Sequence, residues 1–203
     1  MKSLAILLSG RGSNFQAIHD AIDRGSLSAR IAVVISNRAD AAGLSKAAEA
    51  GYETLCFPHR EYGSREAHEA KVAEAIESSG ADFIVLAGYM RLLSAGFVER
   101  FPSRIINIHP SLLPSFPGVD AQRQAFEHGV RVSGCTVHFV DAGLDSGPII
   151  HQSAIDISAC TSADEVARAI LDEEHRAYVA AIQRVCEGGY RIEGRRVVFG
   201  LRD

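Results

Sequence analysis

The chain has 203 residues, 47% of them hydrophobic and 23% charged. That is the composition of a globular protein built as one large domain, not of a disordered or membrane-embedded chain. A formal net charge of −4 argues against a nucleic-acid binder that relies on a broad basic surface, but leaves room for a local anion site.

The first element, "SLAILL" (3–8), is a short continuous apolar run, the pattern of a strand buried on both faces. Glycine and polar residues follow at once, so the N-terminus reads as a strand and not as a signal peptide. Phe15, Ile18 and Ile22 stand at helical spacing over 14–24, and Gly25 stops that helix. "RIAVVIS" (30–36) is a second strand, 41–50 a helix ending at Gly51, and "ETLCF" (53–57) a third strand. A helix over 64–79 closes at Gly80. "DFIVLAG" (82–88) is a fourth strand, a short helix follows around 94–101, and "RIINIH" (104–109) is a fifth strand. Strands alternating with helices predict a doubly wound, mostly parallel α/β sheet of the Rossmann-like kind.

The pattern then changes. "SGCTVHFV" (133–140) and "GPIIHQSAIDI" (147–157) are strands with no helix between them, which predicts an antiparallel portion. Ser162-x-x-Glu165 reads as a capping box opening a long helix to about Cys186, and "YRIEGRRVVF" (190–199) as a hairpin turning at Glu193-Gly194. No apolar run has the length of a transmembrane helix. Cys56, Cys135, Cys160 and Cys186 form no C-x-x-C pair and read as buried thiols in a reducing compartment, which makes the cytoplasm the expected location.

Two segments carry candidate chemistry. "LLSGRGSNFQAI" places a glycine-rich loop between the first strand and first helix, where open α/β sheets bind ligands. Gly10 and Gly12 let an anion approach the backbone at a helix N-terminus. The motif lacks the third glycine of the dinucleotide fingerprint and is no Walker loop, so one small phosphate monoester fits better than a nucleotide cofactor. A tight turn capped by a box at Ser13-x-x-Gln16 explains the same residues without a ligand. In the fifth strand, Ile105, Asn107 and His109 share one face, and i and i+2 lie roughly 7 Å apart. A histidine can move a proton near neutral pH and an asparagine amide can bind an oxyanion, a pair suited to acyl transfer through a tetrahedral intermediate. There is no nucleophile elbow, which favours direct transfer. "DAGLDSGP" offers two carboxylates to orient the histidine, Asp141 and Asp145, and the spacing leaves both open. His138 either lines such a site or satisfies a core hydrogen bond. No metal-ligand spacing occurs.

Taken together, "SGRGSN", "VISNRADAAGLSKA", "AGYMRLLS", "INIHPSLLPSFPG" and "VHFVDAGLDSGPII" resemble the phosphoribosylglycinamide formyltransferase family, over residues 4 to about 180. The resemblance implies one formyltransferase domain: a phosphate-binding half over about 1–100, a folate and catalytic half over about 101–187, and the hairpin at 190–199. It implies 10-formyltetrahydrofolate as co-substrate donor and glycinamide ribonucleotide as acceptor, with no metal, nucleic acid or membrane. The oligomeric state stays open. Asn107, His109 and Asp145 match the catalytic residues, which decides between the two aspartates. Gly12, Ser13 and Asn14 match the phosphate loop. Arg65, Met90, Arg91, Leu92, Leu93 and Asn107 match folate-binding positions, and Glu174 matches a glutamate near the acceptor amine. "HPSLLPSFPG" matches a loop covering the site, with a cis bond expected before Pro114. Two relatives share the catalytic set: a formyltetrahydrofolate hydrolase, expected to carry an extra N-terminal domain, and a methionyl-tRNA formyltransferase, expected to carry an extra C-terminal one. A non-catalytic phospho-ligand binding module would explain the first loop but leaves Asn107 and His109 without a purpose.

Overall fold

The computed structural model describes residues 1–200, in two compact units divided in sequence between Ile106 and Asn107. The first unit contains β1 (Lys2–Leu8), α1 (Ser13–Asp23), β2 (Ala29–Ser36), α2 (Ala42–Glu49), β3 (Thr54–Cys56), a 3-10 turn at His59–Glu61, α3 (Arg65–Ser79), β4 (Phe83–Leu86) and α4 (Ala95–Arg100). β5 (Ile105–His109) begins in this unit and ends in the next.

In the first unit the strands run in the order β3-β2-β1-β4 and every pairing is parallel, as the alternation of elements requires. Leu4 to Leu8 are fully buried, because helices cover both faces of a parallel sheet. The chain winds outward from β1 to β3 and then returns to the other side of β1 with β4. The carboxyl ends of β1 and β4 therefore flank a topological switch point, the usual place for a ligand. α3 starts with the Ser64 hydroxyl accepting from the Ala67 N–H and stops at left-handed Gly80.

The expected capping box at Ser13 and Gln16 does not form. The N-cap position is Gly12, in the left-handed region at φ 72°, with no side-chain cap; Ser13 is already helical, and the Gln16 amide donates to Asp20. A left-handed residue turns the chain into α1 directly, so no extended serine is presented to the first turn.

The second unit contains the end of β5, α5 (Ala121–Glu127), β6 (Val132–Phe139), β7 (Ile149–Asp156), α6 (Ala163–Glu187), β8 (Tyr190–Glu193) and β9 (Arg196–Phe199), with strand order β5-β6-β7-β9-β8. β6 and β7 are antiparallel, as are β8 and β9, in agreement with the change of pattern in the sequence. The capping box of α6 is half formed: Ser162 accepts from the Glu165 N–H, while the Glu165 carboxylate reaches back to Thr161 instead of to Ser162. α5 is absent from the sequence reading. It buries only Ala121 and Ala125, and its N-cap Asp120 is left-handed and makes no side-chain cap, so neither periodicity nor a start signal marks it.

Among the described residues no helix is long and apolar enough to cross a membrane.

Candidate functional site

In the second unit, β5 delivers Asn107 and His109, β6 delivers His138, and the loop between β6 and β7 delivers Asp145. A register shift between Val137 and His138 lies beside this cluster. Bulges of this kind redirect a side chain.

His109 is buried, and both of its ring nitrogens have partners. Nε2 lies 2.8 Å from the Phe116 carbonyl, which can only accept, so Nε2 carries a proton. Nδ1 faces the Asp145 carboxylate, with Oδ2 at 3.4 Å. Asp145 itself is held in a left-handed conformation at φ 48°, and its Oδ2 accepts from the Gly118 N–H at 2.8 Å. Asp141 does something different: its Oδ1 accepts from the Gly143 N–H and the Ser146 hydroxyl, which shapes the loop. The geometry therefore pairs the histidine with Asp145.

His138 makes the buried hydrogen bond that one of its two readings expects, and also reaches Asn107. Its Nδ1 donates to the Phe139 carbonyl at 2.9 Å, which leaves Nε2 as an acceptor for the Asn107 amide at 3.3 Å. Burial pushes its pKa down, so the neutral ring that this pairing needs is the favoured form. Asn107 is thereby oriented with its NH₂ toward His138, leaving one N–H of that group for another acceptor.

The loop after β5 is fixed by groups that the sequence reading did not single out. The Thr136 hydroxyl donates to the Ser111 carbonyl at 2.7 Å and accepts from the Leu113 N–H at 3.0 Å. Gln152 donates to the Leu113 carbonyl and to Thr136. The Leu113–Pro114 bond is cis, as the resemblance implies. Thr136 and Gln152 leave no periodic signature; their sole mark is polarity at positions where a strand should be apolar. Glu174 has that mark too, as the one charged residue on the otherwise apolar buried face of α6. It lies near Cys135, whose thiol is pushed up to about 12 by burial and by the Glu174 and Glu173 carboxylates.

In the first unit, the Gly10–Asn14 loop connects β1 to α1, with Asn14 buried and Ser13 half-buried. The loop is fastened to α2: the Gly43 N–H donates to the Gly10 carbonyl at 2.9 Å and Lys46 to the Arg11 carbonyl at 3.3 Å. Arg65 opens α3. Met90 to Leu93 lie in the irregular segment after β4, where the side chains of Met90 and Leu92 are 81% and 68% exposed. The carboxyl ends of β1 and β4 are stitched by Ser9, whose hydroxyl accepts from the Met90 N–H at 2.8 Å and donates to Asn37.

Among the described residues no group of three or more His, Cys, Asp or Glu side chains is arranged to hold a metal ion.

Comparison with known proteins gives a consistent answer. The glycinamide ribonucleotide transformylase 1 of Symbiobacterium toebii is 51% identical, with 98% of this chain and 94% of that one covered at a TM-score of 0.95. The phosphoribosylglycinamide formyltransferase of Escherichia coli (strain K12) is 40% identical over 186 residues, covering 92% of this chain and 88% of the relative. The trifunctional purine biosynthetic protein adenosine-3 of Gallus gallus is 41% identical over 189 residues, but the match spans only 19% of that protein's length. The formyl transferase family model matches residues 2–182, and the chain belongs to that family.

Proposed function

We propose that the protein is a phosphoribosylglycinamide formyltransferase, moving the formyl group of 10-formyltetrahydrofolate to the amine of glycinamide ribonucleotide in purine biosynthesis, in the cytoplasm. The observation that carries this reading is the Asn107, His109, His138 and Asp145 cluster in a member of the formyl transferase family.

The acceptor amine attacks the formyl carbon, forming a C–N bond and a tetrahedral oxyanion. The remaining N–H of Asn107 and the Nε2 proton of His109 bind that oxyanion; in the structure the second of these is held by the Phe116 carbonyl. Asp145, facing Nδ1, orients the imidazole and offsets positive charge that develops on it in the transition state. The bond to the folate nitrogen then breaks. The proton lost by the amine reaches that nitrogen through His109 or a water. Gly12, Ser13 and Asn14 hold the ribonucleotide phosphate at the start of α1, Arg65 and Met90–Leu93 hold the folate, and Glu174 lies beside the acceptor's amine. The reaction requires no metal.

The test is deformylation of 10-formyltetrahydrofolate with and without glycinamide ribonucleotide. The rate rises by orders of magnitude with the acceptor, because phosphate binding energy aligns the amine while nothing positions water. The dephosphorylated riboside restores little of it. Equal rates with and without acceptor would replace the transferase by a hydrolase.

A further inference from the structure

The segment from Tyr89 to Ser94 has no regular secondary structure and exposes the apolar side chains of Met90 and Leu92. Such a stretch frays unless its backbone is held. Ser9 holds one end through the Met90 N–H. The other end is held by Glu69, which lies on α3 and is only 5% exposed. Its carboxylate accepts from the Ser94 N–H at 2.9 Å and from the Ser94 hydroxyl. That hydroxyl oxygen also caps α4, accepting from the Phe97 N–H at 3.2 Å. One turn earlier on the same helix, the Arg65 Nε lies 3.9 Å from Glu69 Oε1.

A carboxylate on a buried helix face is costly unless it is paired, and an apolar residue would fill the position more readily. Its hydrogen-bond and ion-pair ties reach Arg65, assigned to the folate, on one side and Ser94, which ends the segment carrying Met90–Leu93, on the other.

We infer that Glu69 is a positioning residue for the formyl donor: without touching the folate, it fixes Arg65 and the 89–94 segment relative to one another. The inference rests on the folate assignment made above. Glu69 has no matching role toward the Gly10–Asn14 loop, so its loss falls on one substrate alone.

The experiment compares wild type with Glu69→Gln, Glu69→Asp and Ser94→Ala. It reads KM for each substrate, kcat, the melting temperature, and the Kd of tetrahydrofolate by fluorescence titration. Glu69→Gln raises the folate KM and Kd about tenfold, the scale of one charge-assisted hydrogen bond. The ribonucleotide KM and kcat stay within about twofold, since neither the phosphate loop nor the oxyanion site touches Glu69. Glu69→Asp recovers part of the loss. Equal increases in both KM values, or an unchanged folate KM in a folded variant, would overturn the inference. If Glu69→Gln does not fold, Ser94→Ala, which removes one hydroxyl and keeps the N–H, must show the same split or the inference fails. A wild type without transfer activity would sink the proposed function instead. The tetrahydrofolate titration still reads Glu69 in that case, and a Kd unmoved by the substitution rejects its role.

Discussion

Gly12 and Gly43 pack backbone against backbone. A Cβ built on Gly12 would lie 2.6 Å from the Gly43 Cα, and one built on Gly43 would lie 2.8 Å from the Gly12 Cα. Gly12 also sits at φ 72°. Its identity therefore answers to the contact between the first loop and α2, whatever the loop binds. Gly12→Ala combines left-handed strain of roughly 1–2 kcal/mol with overpacking of roughly 1–3 kcal/mol. Gly43→Ala isolates the packing part, at roughly 1–3 kcal/mol. Gly10, with nothing near its missing Cβ and no positive φ, tolerates alanine within about 0.5 kcal/mol. Urea unfolding of the three variants checks the order; a Gly43→Ala protein as stable as Gly10→Ala would refute it.

The two aspartates of "DAGLDSGP" separate by function. Asp145→Asn keeps the fold, because asparagine tolerates the left-handed conformation and its amide oxygen can still accept from Gly118. It removes the charge facing His109, and turnover falls about a hundredfold or more. Asp141→Asn retains the oxygen that accepts from Gly143 and Ser146, and leaves turnover within a few-fold, on the order of a loop adjustment. Steady-state kinetics on both folded variants decide; near-native turnover in Asp145→Asn removes that residue from the mechanism.

Stability depends on pH through three histidines. Burial pushes His138, His68 and His175 down from their ordinary values. Asp145, His109 and Asp141 face His138; Arg91, His59 and Glu69 face His68; Asp172 faces His175. A base depressed in the folded state binds its proton more readily when unfolded. Stability is thus complete above the unfolded value near about 6.5 and declines as pH falls toward the folded ones. Each such group adds a slope of at most about 1.4 kcal/mol per pH unit. His68→Gln keeps a donor for the Phe57 carbonyl but cannot titrate, so its stability falls less steeply between about pH 6.5 and 5. Denaturant midpoints across that range test this; curves parallel to wild type would remove His68 from the account.

The cysteines differ in reactivity. Cys135 is buried and its thiol is pushed up to about 12, so almost no thiolate exists at neutral pH. Cys56, Cys160 and Cys186 are partly exposed, so of the four cysteines expected to be buried only Cys135 is. A native thiol titration with an aromatic disulfide leaves Cys135 unmodified until denaturant is added. Rapid labelling of Cys135 in the folded protein contradicts the burial.

The apolar runs at 3–8, 30–36 and 104–109 and the glycine stops at Gly25, Gly51 and Gly80 fix the parallel α/β order, because a strand covered on both faces leaves a continuous apolar signature. Asn107 and His109 stand out for the converse reason: polar groups interrupting such a run demand partners. Those partners were decided by the tertiary structure. The spacing of Asp141 and Asp145 leaves both open; the loop's fold turns one inward to His109 and spends the other on its own turn. The Asn107 and His138 pair, the Thr136 and Gln152 clamp and the Glu69 link to Ser94 join residues far apart in the chain, where local periodicity carries no information. The sequence by itself determined which chemical groups the protein carries and the alternation of strands and helices that presents them; the order of the strands in space came from the tertiary structure. Which group meets which was decided by packing, since hydrogen bonds form over a few ångströms of space and not over intervals of sequence.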